Sequence, residues 1–208
     1  MERATIMNDK SKSDIINLRR SQLTRAAYNV VGQKGYYEFT IRDIAREAGL
    51  STGLVHYYFK NKKDLLLNLL KEINKNMLVI LNRNISKADD PREKLNIFMT
   101  QAFDLVKNEK DYFYIVIDFW TQVNKSERMK LANSKLFKSY RDEIAKILQE
   151  GITKGFFTKM DVDYTAAVII SIIQGLIIQY VIDTNAFNYD DYTKKVIKHI
   201  NDLVSKKK

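Results

Sequence analysis

The sequence predicts an all-α protein. One proline and seven glycines in 208 residues leave few places where a helix must stop. Apolar residues recur at three- and four-residue spacing in nearly every segment, without strict alternation. Small polar residues, Thr40, Ser51, Asn61, Asp90 and Asp161, stand immediately before these periodic runs, where helix N-caps belong.

A charged arm, residues 1–13, precedes a first helix whose apolar face is Leu23, Ala26, Ala27, Val30 and Val31, ending near Gly32 to Gly35. Thr40, with Asp43 three residues on, opens a short second helix striped by Ile41, Ile44, Ala45 and Ala48. Gly49 breaks it, and Ser51 caps a third helix that turns Val55 and Phe59 one way and Thr52, Gly53, His56 and Tyr57 another. Asn61 caps a leucine-rich fourth helix from Lys62 towards Arg83, and Asp90-Pro91 starts a fifth, striped by Leu95, Phe98, Met99, Ala102 and Val106. Residues 111–120, "DYFYIVIDFW", are apolar nearly all round, and a longer helix is expected from about Ser126 to Glu150. Asp161 begins a helix apolar on most of its circumference, and a last amphipathic helix carries Tyr192, Val196, Ile197, Ile200, Leu203 and Val204.

Composition removes several classes of function. With no cysteine and two histidines, His56 and His199, neither a thiolate or histidine metal site nor a catalytic triad is expected. Asp104, Asp118 and Asp142 lack a nucleophile or orienting group beside them, so the chain reads as a non-enzyme without cofactor or metal. The N-terminus lacks the apolar core of a signal peptide, and the longest apolar stretch, residues 166–182, is shorter than the roughly 20 residues that span a bilayer. A cytoplasmic protein with no membrane partner is the expectation. The formal charge of +10 favours an anionic partner, and it is denser over residues 1–70, with 12 basic and 7 acidic side chains, than over the remainder, with 23 and 18.

Two short helices joined by a glycine turn form a helix-turn-helix, whose second helix enters the major groove. A third-helix face of Thr, Gly, His and Tyr offers donors, acceptors and close backbone approach in place of packing volume. Lys62 and Lys63 lie in the first turn of the fourth helix, where the helix dipole disfavours cations unless a phosphate is bound there. Taken singly, the aromatic and lysine residues also suit a core and a solvated face; it is their joint spacing that points to DNA.

Residues 18–66, with "GQKGYYEFT" followed by "IRDIAREAGLSTGLVHYYFKNKKDLL", resemble the DNA-binding domain of the tetracycline-repressor (TetR) family. The resemblance implies that Thr40 and Arg42 contact the DNA backbone or a base edge. It implies that Thr52, Gly53 and Leu54 read bases, and that His56, Tyr57 and Lys62 hold phosphates. Many members have Tyr then His where this chain has His56 then Tyr57, which leaves those two roles less fixed than that of Lys62. Ser51, Tyr58 and Phe59 are read as cap and core. The basic arm, with Lys10, Lys12, Arg19 and Arg20, either enters a minor groove or is a tail.

The expected organisation is thus a helix-turn-helix domain over residues 1–70 and a ligand-binding and dimerisation domain over residues 71–208. The apolar helix at 166–182 and the last helix are expected to form a four-helix homodimer interface through Ile169, Ile172, Gly175, Leu176, Gln179, Ile197 and Ile200, in agreement with the family. An effector pocket is expected at Phe98, Gln101, Phe103, Tyr112, Phe119, Trp120, Phe137 and Gln174, with Asp118 and Gln122 as further polar groups, for a small lipophilic or aromatic-cationic molecule. "LVHYYF" and "IIQGLIIQYVID" look most like a branch that includes choline-responsive repressors and also fatty-acid and drug sensors. The function these features imply is a homodimeric transcriptional repressor that binds double-stranded DNA at a palindromic operator and is released by its effector. A non-specific architectural DNA-binding protein is the alternative.

Overall fold

The computed structural model describes residues 2–108, 110–121 and 123–206, with the backbone alone for residues 2–13, 110, 111 and 125. Nine α-helices and one 3-10 turn form among these residues: α1 Glu2–Glu38, α2 Ile41–Glu47, α3 Thr52–Tyr58, α4 Lys62–Ile85, α5 Pro91–Asn108, α6 Lys110–Thr121, the turn Val123–Lys125, α7 Glu127–Thr153, α8 Val162–Ile182 and α9 Tyr189–Val204. The first helix begins earlier than expected, because the backbone of the polar arm continues α1. Within α1, Gly35 takes φ 73°, a left-handed conformation that ends the regular helix before Phe39.

Two compact units result, residues 1–73 with 114–129, and residues 74–113 with 130–208. The sequence reading divides the chain at residue 70 and keeps 114–129 with the second part. The division by contacts instead cuts α4 after Ile73 and α6 after Phe113.

In the first unit, α2 packs on α1 and α3, and Leu23, Ala27, Val31, Ile44, Val55 and Phe59 are all but fully buried. Each of these side chains except Ala27 contributes about 1.5–3 kcal/mol on burial, which helices seven residues long cannot supply alone. Gln22 Nε2 donates to Ala48 O at 2.8 Å and Asn29 Nδ2 to Glu47 Oε1 at 2.9 Å, tying the end of α2 to α1.

In the second unit, α5, α8 and α9 pack on one another. Leu95, Met99, Ile144, Leu148, Ile169, Ile173, Ile200 and Val204 lie in one apolar core. Ile169 and Ile200, expected at the dimer interface, are fully buried in this core and cannot reach a partner. A helix apolar on most of its circumference carries no pattern that marks its inner face. By length and composition α8 is the one helix among the described residues that could cross a membrane, being longer than the apolar stretch read from the sequence, and only a third of its most apolar window is buried. Its unburied side includes Ile172, Gly175, Leu176 and Gln179, with Ile182 76% exposed at its end.

Candidate nucleic-acid interface and effector region

Local hydrogen bonds set the helix-turn-helix. Asp43 N–H donates to Thr40 Oγ1 at 3.2 Å and Thr40 N–H returns to Asp43 Oδ2 at 2.9 Å, a complete capping box. The Thr40 hydroxyl also donates to Asp43 Oδ2 at 2.8 Å, so it is largely occupied by the cap. Lys34 at 2.9 Å and Arg46 at 2.7 Å pair with Asp43 Oδ1; the bonds from Lys34 and Thr40 hold the Asp43 carboxyl far below the usual carboxylate range. At the turn, Gly49 N–H donates to Arg46 O and Leu50 N–H to Ala45 O, with Gly49 at φ 63°. This pair of bonds is the Schellman arrangement, and the positive φ is why a glycine stands there. Ser51 Oγ then accepts from Leu54 N–H at 3.2 Å and starts α3.

Helix α3 buries Val55 and leaves Thr52, Gly53, His56 and Tyr57 exposed, with Leu54 half-buried. Tyr57 is 74% exposed and packs edge-on against Tyr58, ring centroids 5.1 Å apart. Gly53 has no internal reason to be glycine. A Cβ there would meet only Ser51 Oγ at 3.9 Å, and its φ is not positive. Arg42 is exposed on α2, Lys60 is exposed just before α4, and Lys63 is exposed in its first turn.

Lys62 lies differently. Its Nζ donates to Tyr37 O at 3.0 Å and stands 4.2 Å from the Phe39 ring centroid and 5.0 Å from that of Tyr36. Burial lowers its pKa, against the opposing pull of Glu38 and Asp118. One of its three N–H bonds is thus spent on its own chain.

The residues expected at an effector pocket are divided between the units. Phe119 and Trp120 belong to the first; Phe98, Gln101, Phe103, Tyr112, Phe137 and Gln174 belong to the second. Phe98 and Phe103 are part of the close-packed core, and the Phe103 carbonyl accepts the Tyr189 hydroxyl at 3.0 Å. Gln101 accepts from Asn84 Nδ2 at 3.1 Å and lines an open groove of about 610 Å³ with Met77, Ile80, Ile97 and Asp104. Phe137 and Gln174 are half-buried, and Gln122 lies outside the described residues, as do the side chains of Lys10 and Lys12. Asp118 serves the first unit, where its Oδ2 accepts Tyr36 N–H at 2.6 Å.

A polar cluster absent from the sequence reading forms in the second unit. Asn74 Oδ1 accepts from Tyr112 Oη at 3.1 Å and from Tyr140 Oη at 3.2 Å, and burial pushes the Tyr140 hydroxyl pKa up. No spacing pattern links residues 74, 112 and 140, so only their meeting in space reveals the cluster.

Against known proteins, the model of bacterial regulatory proteins of the tetR family matches residues 23–69, and that of the C-terminal part of BetI-type transcriptional repressors matches residues 91–205. The chain belongs to the TetR family. It is a transcriptional regulator, not an enzyme. The fatty acid metabolism regulator protein of Bacillus subtilis is 29% identical to this TetR-family chain over 134 residues, 64% of this chain and 68% of that protein. The HTH-type transcriptional regulator BetI of Agrobacterium fabrum is 31% identical over 113 residues, 54% of this chain and 55% of that one. The chain therefore spans little more than half the length of that BetI relative. Among solved structures, FadR from Bacillus subtilis in complex with stearoyl-CoA superposes with a TM-score of 0.77, at 22% identity, over 86% of this chain and 96% of that one. A protein from Saccharomonospora viridis solved in complex with choline gives 0.80, at 23% identity, over 90% and 98%. At these identities the likenesses establish the TetR fold.

Proposed function

We propose that this TetR-family regulator is a homodimeric repressor that binds a palindromic operator through α3 and leaves it when a small lipophilic effector binds. The observation that carries the DNA reading is the α3 face, where an exposed, solvent-facing Gly53 is flanked by Thr52, His56 and Tyr57. A glycine that nothing in its own chain requires fits a surface that another molecule approaches closely. Thr52, Gly53 and Leu54 take the bases, and His56 and Tyr57 the phosphates. Arg42 and Thr40 meet the backbone, Thr40 through its one remaining hydroxyl acceptor or a rearranged cap. Lys62 contributes with the two N–H bonds it has left, and the exposed Lys60 and Lys63 add charge beside it.

Dimerisation occupies the unburied face of α8 with α9, at Ile172, Gly175, Leu176, Gln179 and Ile197. Nothing in its own chain lies within 4 Å of a Cβ built on Gly175, which suits close approach of a second copy. That cover accounts for the exposed apolar surface of α8, and the protein works in the cytoplasm, where it meets the chromosome.

For the effector, the second unit favours a lipophilic body with a carbonyl or carboxylate head over an organic cation. Both buried carboxylates among the described residues, Asp43 and Asp64, lie in the first unit, so among the described residues of the second no buried counter-charge awaits a cation. The Asn74 amide, whose oxygen already accepts the Tyr112 and Tyr140 hydroxyls, instead offers the uncharged donors of its –NH2 group.

Selection of bound fragments from genomic DNA, repeated with Thr52→Ala and Leu54→Ala, tests the DNA reading: altered base preference at two symmetric positions supports it, and unchanged preference in both sinks it. Thermal protection by stearoyl-CoA and none by choline is expected for the effector; the reverse pattern refutes the lipophilic assignment.

A further inference from the structure

Residues 114–129 carry two side chains to the two junctions of the helix-turn-helix, all within one unit. The first is Asp118, whose Oδ2 accepts the Tyr36 amide at 2.6 Å, directly after the left-handed Gly35 that ends the regular part of α1. The positive φ accounts for the glycine at position 35; a Cβ there would stand in ordinary contact, 3.4 Å, with that same oxygen. The second is Arg128, whose Nη1 lies 3.1 Å from Asp64 Oδ1. Asp64 is itself the hinge-pin of the α3–α4 junction: its Oδ2 accepts Lys60 N–H at 3.1 Å, and its N–H donates to Asn61 Oδ1 at 2.9 Å. One contact therefore precedes α2 and the other follows α3, and the helix-turn-helix lies in the chain between them.

Helix α2 already packs on α1 and α3, and a contact at each end of the helix-turn-helix adds a restraint on how that packed unit tilts. We propose that Asp118 and Arg128 are positioning residues that fix the helix-turn-helix from both ends, so that operator affinity depends on them although neither touches DNA. The proposal rests on α3 being the DNA-reading helix. Both contacts suit the role. The Asp118 carboxylate meets a backbone amide, which a change of side chain at position 36 does not remove. Arg128 is 61% exposed and Asp64 12%, so solvent screens the pair from the arginine side, and Asp64 keeps its bonds to Lys60 and Asn61 when the arginine is lost. An effect on DNA recognition larger than the effect on folding then reports orientation.

The test uses the full-length protein and the genomic fragment it selects, with an unrelated duplex of equal length, at one salt concentration. Wild type, Asp118→Ala, Asp118→Asn, Arg128→Ala and Arg128→Lys are compared by fluorescence anisotropy, with circular dichroism to confirm folding. Asp118→Ala and Arg128→Ala are expected to lower affinity for the selected fragment at least fivefold, and to change affinity for the unrelated duplex less than twofold. Asp118→Asn keeps an oxygen acceptor and Arg128→Lys keeps the cation, so these two variants should recover most of the loss. Folded Ala variants within twofold of wild type on the selected fragment overturn the proposal, as does an equal loss on both duplexes without recovery in the conservative variants. Should Asp118→Ala fail to fold, the exposed Arg128 pair of variants decides alone. A wild-type protein that selects no fragment overturns the DNA reading and this proposal together; selective wild type with insensitive variants overturns this proposal only.

Discussion

Gly53→Ala separates what α3 needs for itself from what it needs for DNA, because the two effects have opposite signs. In the free protein the added methyl meets nothing closer than Ser51 Oγ at 3.9 Å, so it introduces no clash. Alanine in place of glycine in a helix then stabilises by up to about 1 kcal/mol. Gly53 is the second residue of α3, and the gain there is nearer half of that. For a chain of 208 residues such a gain raises the melting temperature by about 1–4 °C. On the operator the same methyl projects from the exposed face into the space a base edge or sugar would occupy. A loss comparable with one mismatched base pair, about 1–3 kcal/mol, is expected. That is roughly a 5- to 150-fold rise in Kd. Thermal denaturation of the free protein and anisotropy titration at fixed salt measure the two effects on one preparation. A variant that is more stable and binds operator as tightly as wild type would refute the reasoning, since Gly53 would then face solvent in the complex too.

Four further outcomes are expected. Thr40→Ala should cost about 1 kcal/mol in chemical denaturation by removing the cap of α2, and Thr40→Ser should restore it. Lys63→Ala should weaken binding to all DNA and reduce the salt slope by about 1 without changing the melting temperature; Lys62→Ala should also lower the melting temperature, because its ammonium stands over Phe39 and Tyr36 and donates to the Tyr37 carbonyl. Asp43, Asp90 and Glu150 all have pKa values below their ordinary range, held by Lys34, Arg92 and Lys154 respectively, so their stabilising contribution is complete above the unfolded carboxylate range near pH 4 and falls away as the pH drops below it. An acid titration followed by circular dichroism should show this loss, and Asp43→Asn should shrink it. Gly175→Leu, at a position where an added Cβ has nothing outside its own helix backbone within 4 Å, should convert a dimer to a folded monomer in analytical ultracentrifugation.

The helices and their starts were legible because they depend on local chemistry. Thr40, Ser51, Asn61 and Asp161 each accept a backbone N–H at the helix start where a cap was expected. The α3 face was legible for the same reason: at 3.6 residues per turn, a buried Val55 puts Gly53 and Tyr57, two residues to either side, on the opposite, exposed face. What the sequence hid depends on distance along the chain. Asp118 reads as a polar group for a pocket, yet its partner is a backbone amide 82 residues away, and an amide carries no sequence signal. Lys62 reads as a free cation because nothing local shows that the Tyr37 carbonyl and the Phe39 ring come to meet it. Ile169 and Ile172 are indistinguishable on an all-apolar helix, and only the packing of α5 and α9 decides which of them is inside.

Whether this chain reads a specific, two-fold-symmetric DNA site through α3 is decided by a footprint of the purified protein on its selected fragment. The footprint is paired with the affinity for that fragment against excess unrelated DNA at near-physiological salt. The expected result is protection of two half-sites related by a dyad, one helical turn or a whole multiple of about 10 base pairs apart, with binding that survives the competitor. Uniform protection without a dyad, and affinity that the competitor removes and salt alone governs, would contradict that reading and leave a non-specific DNA-binding protein.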